Sequence, residues 1–204
     1  MSVVSDALRA GSATLHEAMG RQGALPAAVK PVCEGFELAG PAFPVRSPVG
    51  DNLWLHRAVY AAQPGEVLVV AVPEQPEFGY WGEILSVAAA ARDLAGLVIT
   101  GGVRDVAALR DVAFPVFAGV VCIRGTIKDP AGRGALGEPV RIGDVVVRRG
   151  DFVLGDTDGV VVVPAADLHR TIEAAGERTA KENEVLARLR AGESTLDIYQ
   201  LLKV

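Results

Sequence analysis

Two uninterrupted apolar runs constrain the fold of this chain more than any other feature. Residues 67–72 are VLVVAV and residues 95–100 are AGLVIT, and neither run alternates apolar with polar side chains. Runs of this kind form strands buried on both faces, as in a parallel sheet covered by helices. Residues 84–94 between them are alanine-rich with helical spacing, so this part of the sequence predicts a βαβ unit.

The remaining segments extend this unit to an α/β fold. Glycines recur at short intervals after residue 134, which favours short strands that curl a mixed sheet toward a barrel-like or sandwich core flanked by helices. The last helix is charged and lacks a broad apolar face, so we expect it to pack partly against another subunit. Helices are predicted over about 12–23, 52–61, 106–112 and 165–189, and further strands over 38–45, 116–121, 145–147, 152–154 and 160–163.

Composition and charge narrow the class of protein. The chain is 50% hydrophobic, enough for one sizeable core of valine-rich strands and alanine-rich helices. Its net charge of −5 argues against binding to nucleic acid phosphates. We see neither a signal peptide nor an apolar run near the roughly 20 residues that span a membrane, and therefore expect a soluble cytoplasmic protein. One domain is expected over 1–204, with an N-terminal helical segment over about 1–30 and a C-terminal helical extension over about 165–204.

Several reactive side chains are expected to be structural. Cys33 and Cys122 lie far apart without a CxxC partner, and we predict that both are buried free thiols. His16 and His169 are expected to be surface or packing residues. Residues 155–159, GDTDG, resemble a calcium loop in composition but lack its distal glutamate, so they predict a tight turn between strands.

A first polar segment, GYWGEIL at residues 79–85, precedes a predicted helix. Gly79 and Gly82 allow close approach to the backbone. The first amides of a helix have no acceptor within it, and the helix dipole is positive there. A helix start near Glu83 therefore favours a carboxylate or phosphate, although many such starts bind only water.

A second polar segment, TGGVRD at residues 100–105, directly follows a buried strand. Ligands of open α/β sheets bind beyond the carboxyl ends of the strands, where this segment is expected. Arg104 offers a planar two-pronged donor for a carboxylate, and Asp105 offers the hard oxygen ligand that Mg²⁺ or Mn²⁺ prefers. The alternative from these residues alone is a surface arginine beside an aspartate that caps the next helix.

Both segments match the pattern of a known family. An acidic residue, twenty intervening residues and then Arg-Asp are present here as Glu83 and Arg104-Asp105. This pattern resembles the signature of the 4-hydroxy-4-methyl-2-oxoglutarate/4-carboxy-4-hydroxy-2-oxoadipate aldolases. That family shares the RraA-like fold, a swivelling β/β/α sandwich, with the regulator of ribonuclease E activity. Further matching segments are TLHEA at 14–18, GDNL at 50–53, RGTIK at 124–128 and GDFVLGDTDGV at 150–160.

The resemblance implies a role for each matching residue. Asp105 would ligate a divalent metal, Mg²⁺ or Mn²⁺, and Glu83 would hold a metal-bound water. Arg104 would bind oxygen atoms of the substrate, and the backbone amides of Ile84 and Leu85 would receive the carboxylate of pyruvate. The other substrate-binding residues that the resemblance implies are Gly82, Asn52 and His56.

The resemblance also implies a homo-oligomer, a trimer or hexamer with its sites at subunit interfaces. An acidic residue from a neighbouring subunit's C-terminal helix would approach each site, and Glu182 and Glu184 are the candidates. Two features depart from the family. Glu83 stands where some aldolases carry aspartate, which would move the bound water, and the loop at 133–139 is not a close match and would shape substrate choice.

The resemblance therefore implies a metal-dependent carbon–carbon lyase. It would cleave 4-hydroxy-4-methyl-2-oxoglutarate or a related 4-hydroxy-2-oxo acid to pyruvate, as in the degradation of aromatic compounds, and decarboxylate oxaloacetate as a side reaction. Both reactions leave pyruvate enolate, which a lysine Schiff base or a metal can stabilise. Lys30, Lys128, Lys181 and Lys203 all lie outside the apolar strands, which disfavours the Schiff base.

Two other functions remain open from the sequence. The main rival is a regulator that binds and inhibits ribonuclease E without turnover. A methyltransferase has weak support, because no glycine-rich nucleotide loop followed by an acidic residue is evident.

Overall fold

The computed structural model describes residues 2–72 and 77–201, which contain seven α-helices and eleven strands. The helices are α1 (Val3–Ala10), α2 (Ser12–Ala18), α3 (Leu53–Ala61), α4 (Glu83–Ala90), α5 (Val106–Val112), α6 (Leu168–Arg190) and α7 (Thr195–Ile198), and a 3₁₀ helix (Ala165–Asp167) precedes α6. The strands are β1 (Lys30–Pro31), β2 (Leu38–Arg46), β3 (Val67–Ala71), β4 (Gly79–Trp81), β5 (Gly96–Val103), β6 (Val116–Val121), β7 (Ala135–Leu136), β8 (Val140–Ile142), β9 (Val145–Val147), β10 (Phe152–Asp156) and β11 (Gly159–Val163).

Nine of these strands form one mixed sheet, and β8 and β9 form a separate hairpin. The strand order is β1-β6-β5-β3-β2-β10-β11, while β4 pairs with β5 and β7 with β2. Neighbours among β2, β3, β5 and β6 are parallel, and β10 is antiparallel to β2 and β11. The end strands β1 and β11 contact each other, and Lys30 of β1 donates to the Asp158 carbonyl in the β10–β11 turn. The sheet is therefore nearly closed, which confirms the predicted barrel-like α/β fold.

The apolar side chains pack into a main core and a smaller one. Residues 67–70 of β3 are completely buried, as expected for a strand covered on both faces. The main core joins the parallel strands to one side of α3, α4 and α5. The smaller core lies between β10–β11 and helices α1, α2 and α6. Helices therefore cover both the middle and one end of the sheet.

The predicted strands and central helices are confirmed, with differences at their ends. The largest concerns β5, because the predicted strand ends at residue 100 and the observed strand continues through residues 101–103. A Cβ at Gly102 would lie 2.5 Å from the Phe78 carbonyl oxygen, so only glycine lets β4 approach β5 there. The three-residue strand β4 itself was not predicted, since it is too short to show a period. The helix predicted over 84–94 ends at Ala90.

The N-terminal segment differs from the single helix predicted over 12–23. It forms two helices separated at Gly11, and the second ends at Ala18. Ser12, expected as a possible cap, is instead the first residue of α2. Its amide nitrogen and Oγ each lie 2.6 Å from a carboxylate oxygen of Asp156 in the β10–β11 turn. The tight turn predicted at 155–159 is confirmed, because Asp156 Oδ1 also accepts from the amides of Asp158 and Gly159.

The predicted C-terminal helix is present as α6, preceded by the 3₁₀ turn. It packs on α1 and α2, but among its described residues only Thr171 and Ala175 are buried. Its packing against another subunit stays a prediction. The end of the predicted extension, residues 202–204 with Lys203, lies outside the described residues. In the described ranges, every helix is too short or too polar to cross a membrane.

Both cysteines are free thiols, as predicted. Cys33 is buried, whereas Cys122 is only half-buried because it directly follows the end of β6. Neither histidine expected to be structural lines the candidate functional site described in the next subsection. His16 contacts the Gln22 carbonyl oxygen through Nδ1 at 2.8 Å, and His169 is exposed on α6.

Candidate functional site

A small pocket of about 160 Å³ lies at the carboxyl ends of β4 and β5. These strands are parallel, so the segments that follow them emerge at the same edge of the sheet. The starts of α3 and α4 complete its walls. Eight residues of one chain are predicted from the sequence for this site, and seven of them line the pocket, namely Asn52, His56, Gly82, Ile84, Leu85, Arg104 and Asp105. The other lining residues are Gly79, Tyr80, Trp81 and Lys128.

Glu83 is the predicted site residue that does not line the pocket. Its side chain is exposed at the start of α4. Its backbone amide nevertheless faces the site and donates to Asp105 Oδ2 at 3.2 Å. The structure thus places the residue beside the site, while a role for its carboxylate in holding water stays a prediction.

Asp105 joins β5 to α5 in an uncommon backbone conformation. It occupies the position before α5 with φ 61° and ψ 36°, a left-handed conformation that costs a non-glycine residue about 1 kcal/mol or more. Its side chain makes no capping hydrogen bond to α5. Instead the carboxylate points to α4, and its Oδ2 lies 3.6 Å from Arg104 Nε. The alternative of an aspartate that caps the next helix is therefore wrong for its side chain.

Gly79 and Gly82 make room for the two charged side chains of the site. A Cβ at Gly82 would lie 2.2 Å from Asp105 Oδ2 and 3.2 Å from Arg104 Cγ. A Cβ at Gly79 would lie 3.1 Å from Arg104 Cδ and 2.6 Å from the Cys122 carbonyl oxygen. The stem of Arg104 therefore crosses both glycines. The sequence predicts that Gly79 and Gly82 allow close approach to the backbone. In the structure, the side chains of Arg104 and Asp105 make that approach.

The start of α4 leaves two adjacent backbone amides available. Within the described part of the chain, the amide of Glu83 bonds to Asp105 and that of Ser86 to the Gly82 carbonyl, but those of Ile84 and Leu85 have no acceptor. The dipole of α4 adds positive potential at this point. Because both residues line the pocket, these amides suit a small carboxylate.

Asn52 connects α3 to β4 and presents an unused acceptor. Its Nδ2 donates to the Tyr80 carbonyl at 2.9 Å, which fixes the orientation of the amide. Its Oδ1 is buried and has no hydrogen-bond partner among the described residues. A buried acceptor without a donor costs about 1–3 kcal/mol, so a ligand hydroxyl or a water is expected to supply one.

Lys128 is the functional candidate that the sequence argument did not place in the site. It was considered only as a lysine outside the strands, yet its loop folds over the pocket. The loop is held by two backbone hydrogen bonds of Ile127, which donates to Gly50 at 2.8 Å and accepts from Asn52 at 3.1 Å. This contact joins residues more than 70 positions apart, and the only signal for it was the shared family resemblance of GDNL and RGTIK.

The charge of Lys128 acts on His56 across the pocket. Partial burial lowers the pKa of the His56 imidazole below its ordinary value, and the nearby positive charge of Lys128 lowers this pKa further. Neutral imidazole can accept one hydrogen bond and donate another. The wall opposite α4 therefore combines a cation, a neutral imidazole and the free oxygen of Asn52.

The donor set fits a hard, largely hydrated metal ion. Within residues 2–72 and 77–201, no group of three or more His, Cys, Asp or Glu side chains is placed to enclose a metal. Asp105 Oδ1 carries no hydrogen bond, and its carboxylate is about two-fifths exposed at the pocket. Mg²⁺ commonly uses one or two carboxylates and keeps several waters or substrate oxygens. Asp105 as a single carboxylate ligand, with Glu83 nearby, fits this mode of Mg²⁺ binding.

The two acidic residues predicted to come from a neighbouring subunit do not reach the pocket of their own chain. Glu182 forms an ion pair with Arg178 at 2.8 Å, and Arg178 also lies 3.7 Å from Glu17 on α2. Glu184 is exposed on the far half of α6. Glu182 is thus ion-paired within its own chain, so Glu184 is the more available of the two to a neighbouring subunit.

Comparisons with known proteins connect this site to a family. A family model described as RraA-like: Aldolase/RraA matches residues 2–162. A Halalkalibacterium halodurans protein provisionally named 4-hydroxy-4-methyl-2-oxoglutarate aldolase is 32% identical over 158 residues, which cover 78% of this chain and 74% of that protein.

Solved structures show the same likeness. RraAS2 of Streptomyces coelicolor, described as an unusual member of the RNase ES inhibitor RraA family, has a TM-score of 0.77 and 25% identity, covering 90% of this chain and 94% of that one. The RNA-processing inhibitor RraA from Thermus thermophilis has a TM-score of 0.68 and 26% identity, covering 75% of this chain and 92% of that one.

Proposed function

Because the chain belongs to the RraA-like family of aldolases and RraA proteins, we propose that it is a divalent-metal-dependent aldolase. Its substrate is 4-hydroxy-4-methyl-2-oxoglutarate or a related 4-hydroxy-2-oxo acid, and its product is pyruvate. Oxaloacetate decarboxylation is the side activity, since it passes through the same pyruvate enolate.

The observation that carries this proposal is the pair of free amides beside Asp105 and Arg104. The amides of Ile84 and Leu85 receive the substrate carboxylate at the start of α4. Arg104, whose stem is held against Gly79 and Gly82, donates to the oxygen that becomes the enolate. These groups together bind the pyruvate half of the substrate in a pocket too small for a nucleotide.

The wall of the pocket opposite α4 binds the half of the substrate that is released when the carbon–carbon bond breaks. The 4-hydroxyl group passes its proton to the neutral imidazole of His56 as the carbon–carbon bond breaks, and the electron pair of that bond passes to the pyruvate half. Asn52 Oδ1, which has no donor among the described residues, accepts the hydrogen bond of this hydroxyl. His56 and Lys128 lie on the same side and bind the remaining polar groups.

Asp105 would hold the metal, and Glu83 would hold a water bound to it. Mg²⁺ or Mn²⁺ at this position supplies Lewis-acid polarisation of the 2-oxo group when bound. A Schiff base on Lys128 is the chemical alternative, because the structure brings this lysine to the pocket. Lys128 is exposed, however, and lacks the apolar burial that activates such lysines.

The proposal is tested by a coupled pyruvate-release assay over a panel of 4-hydroxy-2-oxo acids and oxaloacetate. Arg104→Ala and Asp105→Ala should each lower kcat by about a hundredfold or more. Arg110→Ala and Asp111→Ala, exposed on the neighbouring helix, are the matched controls and should keep full activity. EDTA should abolish turnover and Mg²⁺ should restore it. Full activity in either site variant, or a lysine adduct after borohydride reduction with pyruvate, contradicts the assignment.

Exposed apolar residues beside the pocket support a homo-oligomer. Ile84 and Val87 on α4 are exposed, as are Val121, Ile123 and Ile127 at and after the end of β6. They lie at the edge of the sheet that carries the site, and Ile123 is 92% exposed. Apolar groups clustered in this way mark a protein interface. We infer that a second copy of this chain covers them, in a trimer or hexamer.

The solved RraA structures favour one second candidate, a regulator of ribonuclease activity. A regulator would slow cleavage of an RNA substrate by ribonuclease E at stoichiometric concentration, and Arg104→Ala would leave that effect unchanged. Inhibition together with no pyruvate release from any acid of the panel would establish the regulator instead of the aldolase.

A further inference from the structure

A cleft larger than the proposed active site lies elsewhere in the described chain. It has a volume of about 870 Å³ and lies between α2 with its following loop, the β8–β9 hairpin and the first two turns of α6. None of its lining residues lines the pocket beside Asp105. Its volume is that of cavities that hold ligands of nucleotide size, so its occupant is not the pyruvate-sized acid proposed above.

Three arginines surround this cleft. Arg21 pairs with Glu17 at 3.3 Å and Arg170 with Asp167 at 2.8 Å, but the two arginine side chains are 76% and 79% exposed. Exposed ion pairs contribute only about 0–1 kcal/mol, so either guanidinium can turn to a ligand at small cost. Arg148 has no acidic partner among the described residues. All three cations are thus available to an incoming anion.

The acids of the cleft are equal in number but not in availability. Asp151 is 7% exposed, and its two oxygens accept from the amides of Ala165 at 3.1 Å and Arg148 at 2.8 Å. Both oxygens of its carboxylate are therefore already hydrogen-bonded to backbone amides of the chain. Asp144, in the turn of the β8–β9 hairpin, is exposed at the rim. Asp167, the third lining acid, contacts only Nη2 of Arg170, so Arg170 can keep this pair and offer its other nitrogens to an anion. An anion bound among the arginines then faces one uncommitted acid, Asp144.

A hydroxyl without a partner among the described residues also lines the cleft. Thr171 is 3% exposed, and its hydroxyl makes no hydrogen bond to any described residue. Thr179, two turns later on α6, donates to the Ala175 carbonyl at 2.9 Å. Thr171 makes no such hydrogen bond to the helix carbonyl four residues before it. This hydroxyl is therefore free to exchange a hydrogen bond with a polar atom of a ligand in the cleft.

We propose that this cleft binds a small organic anion of nucleotide size. Its phosphate or carboxylate groups contact Arg148, Arg21 and Arg170, and a polar atom beside them bonds to Thr171. The body of the ligand packs on the apolar wall formed by Met19 and Val162. This site is independent of the aldolase proposal, because the two cavities share no residue.

The test is isothermal titration of the full chain with adenosine monophosphate, citrate, inorganic phosphate and adenosine. Adenosine monophosphate or citrate should bind saturably, and the stronger of the two identifies the anionic group. Arg148→Gln and Thr171→Val should each weaken that binding about tenfold, whereas Asp144→Asn should strengthen it by removing repulsion. Arg141→Gln, exposed on the same hairpin but outside the cleft, is the matched control and should bind like the parent chain.

Thr171→Val separates ligand binding from a purely structural role. The substitution keeps the shape of the side chain and removes an unpaired hydroxyl, so the thermal midpoint should stay the same or rise while binding weakens. Saturable binding that Arg148→Gln and Thr171→Val leave unchanged overturns the proposal. So does the absence of saturable binding by both organic anions at millimolar concentration.

Discussion

At the scale of single residues, the candidate site depends on a missing methyl group. Gly82 has an extended backbone that any residue can adopt, so its glycine is not required by conformation. It is required by space, because a Cβ would occupy the position of the Asp105 carboxylate. The strained backbone of Asp105 turns that carboxylate toward α4 rather than α5. One glycine and one left-handed residue therefore set the geometry of the charged pair.

Gly82→Ala should damage the site without damaging the fold. The new Cβ forces Asp105 away from the α4 amide, and a displacement of about 1 Å at such a site costs on the order of a hundredfold in turnover. Pyruvate release and Mn²⁺ affinity should both fall, while the thermal midpoint changes little. Gly125→Ala is the control, since no atom lies within 4 Å of its added Cβ. Unchanged activity in Gly82→Ala would show that Asp105 has no part in catalysis.

His56 should titrate below its ordinary pKa. Burial and Lys128 both disfavour its charged form, so Lys128→Met should raise the His56 pKa, as followed by NMR of the imidazole protons. His56→Gln assigns the resonance, and Lys181→Met, far away on α6, should leave it in place. A His56 pKa that does not respond to Lys128→Met contradicts the proximity of the two side chains.

The same shift has a consequence for stability. Because the folded pKa of His56 is below the unfolded one, the unfolded chain binds more protons between these two values. The free energy of unfolding therefore falls as the pH drops from about 6.5 through the folded pKa, and His56→Gln should flatten this decline.

At the scale of elements, the sequence pattern predicted those helices and strands that depend on residues close together in the chain. The buried strands and the helix starts after them were predictable, because apolar runs and glycine punctuation are continuous in sequence. Arg104 and Asp105 follow the predicted strand at 95–100, whereas Gly82, Ile84 and Leu85 stand at the start of the predicted helix. The family resemblance, rather than the strand pattern, joined the two segments into one predicted site.

Long-range contacts explain what the sequence did not reveal. Strand β4 exists because Gly102 permits a close neighbour, and Lys128 enters the site because Ile127 pairs with the segment at Gly50. Neither contact has a periodic signature. The split of the N-terminal helix at Gly11 likewise depends on a distant partner, Asp156.

Asp156→Ala should destabilise the junction between α2 and the β10–β11 turn. The carboxylate accepts from the Ser12 amide and hydroxyl and from two amides of its own turn. Losing hydrogen bonds to a charged group costs about 2–3 kcal/mol, which urea unfolding measures as a lower midpoint at constant slope. Asp158→Ala, exposed in the same turn, should change stability by less than about 0.5 kcal/mol. Equal effects of the two substitutions would contradict this account.

At the scale of the whole molecule, two surfaces are left largely uncovered by the residues that the structure describes. One is the apolar edge around the pocket, and the other is the second half of α6, which projects beyond the packing on α1 and α2. A homo-oligomer can cover both, and under the proposed function it would bring a neighbour's α6 acid toward Asp105. Catalysis and assembly would then be coupled.

Ile123→Asp should therefore dissociate the oligomer and lower activity in the same step. A charge placed at this apolar contact is left uncompensated when two copies meet, so light scattering after size exclusion should show a smaller species. Tyr60→Asp is the control, because Tyr60 is 66% exposed but lies on α3 away from this edge. If Ile123→Asp is monomeric yet turns over fully, each chain contains a complete site and no partner residue is needed. If the parent chain is itself monomeric at micromolar concentration, the apolar edge is not an interface between copies.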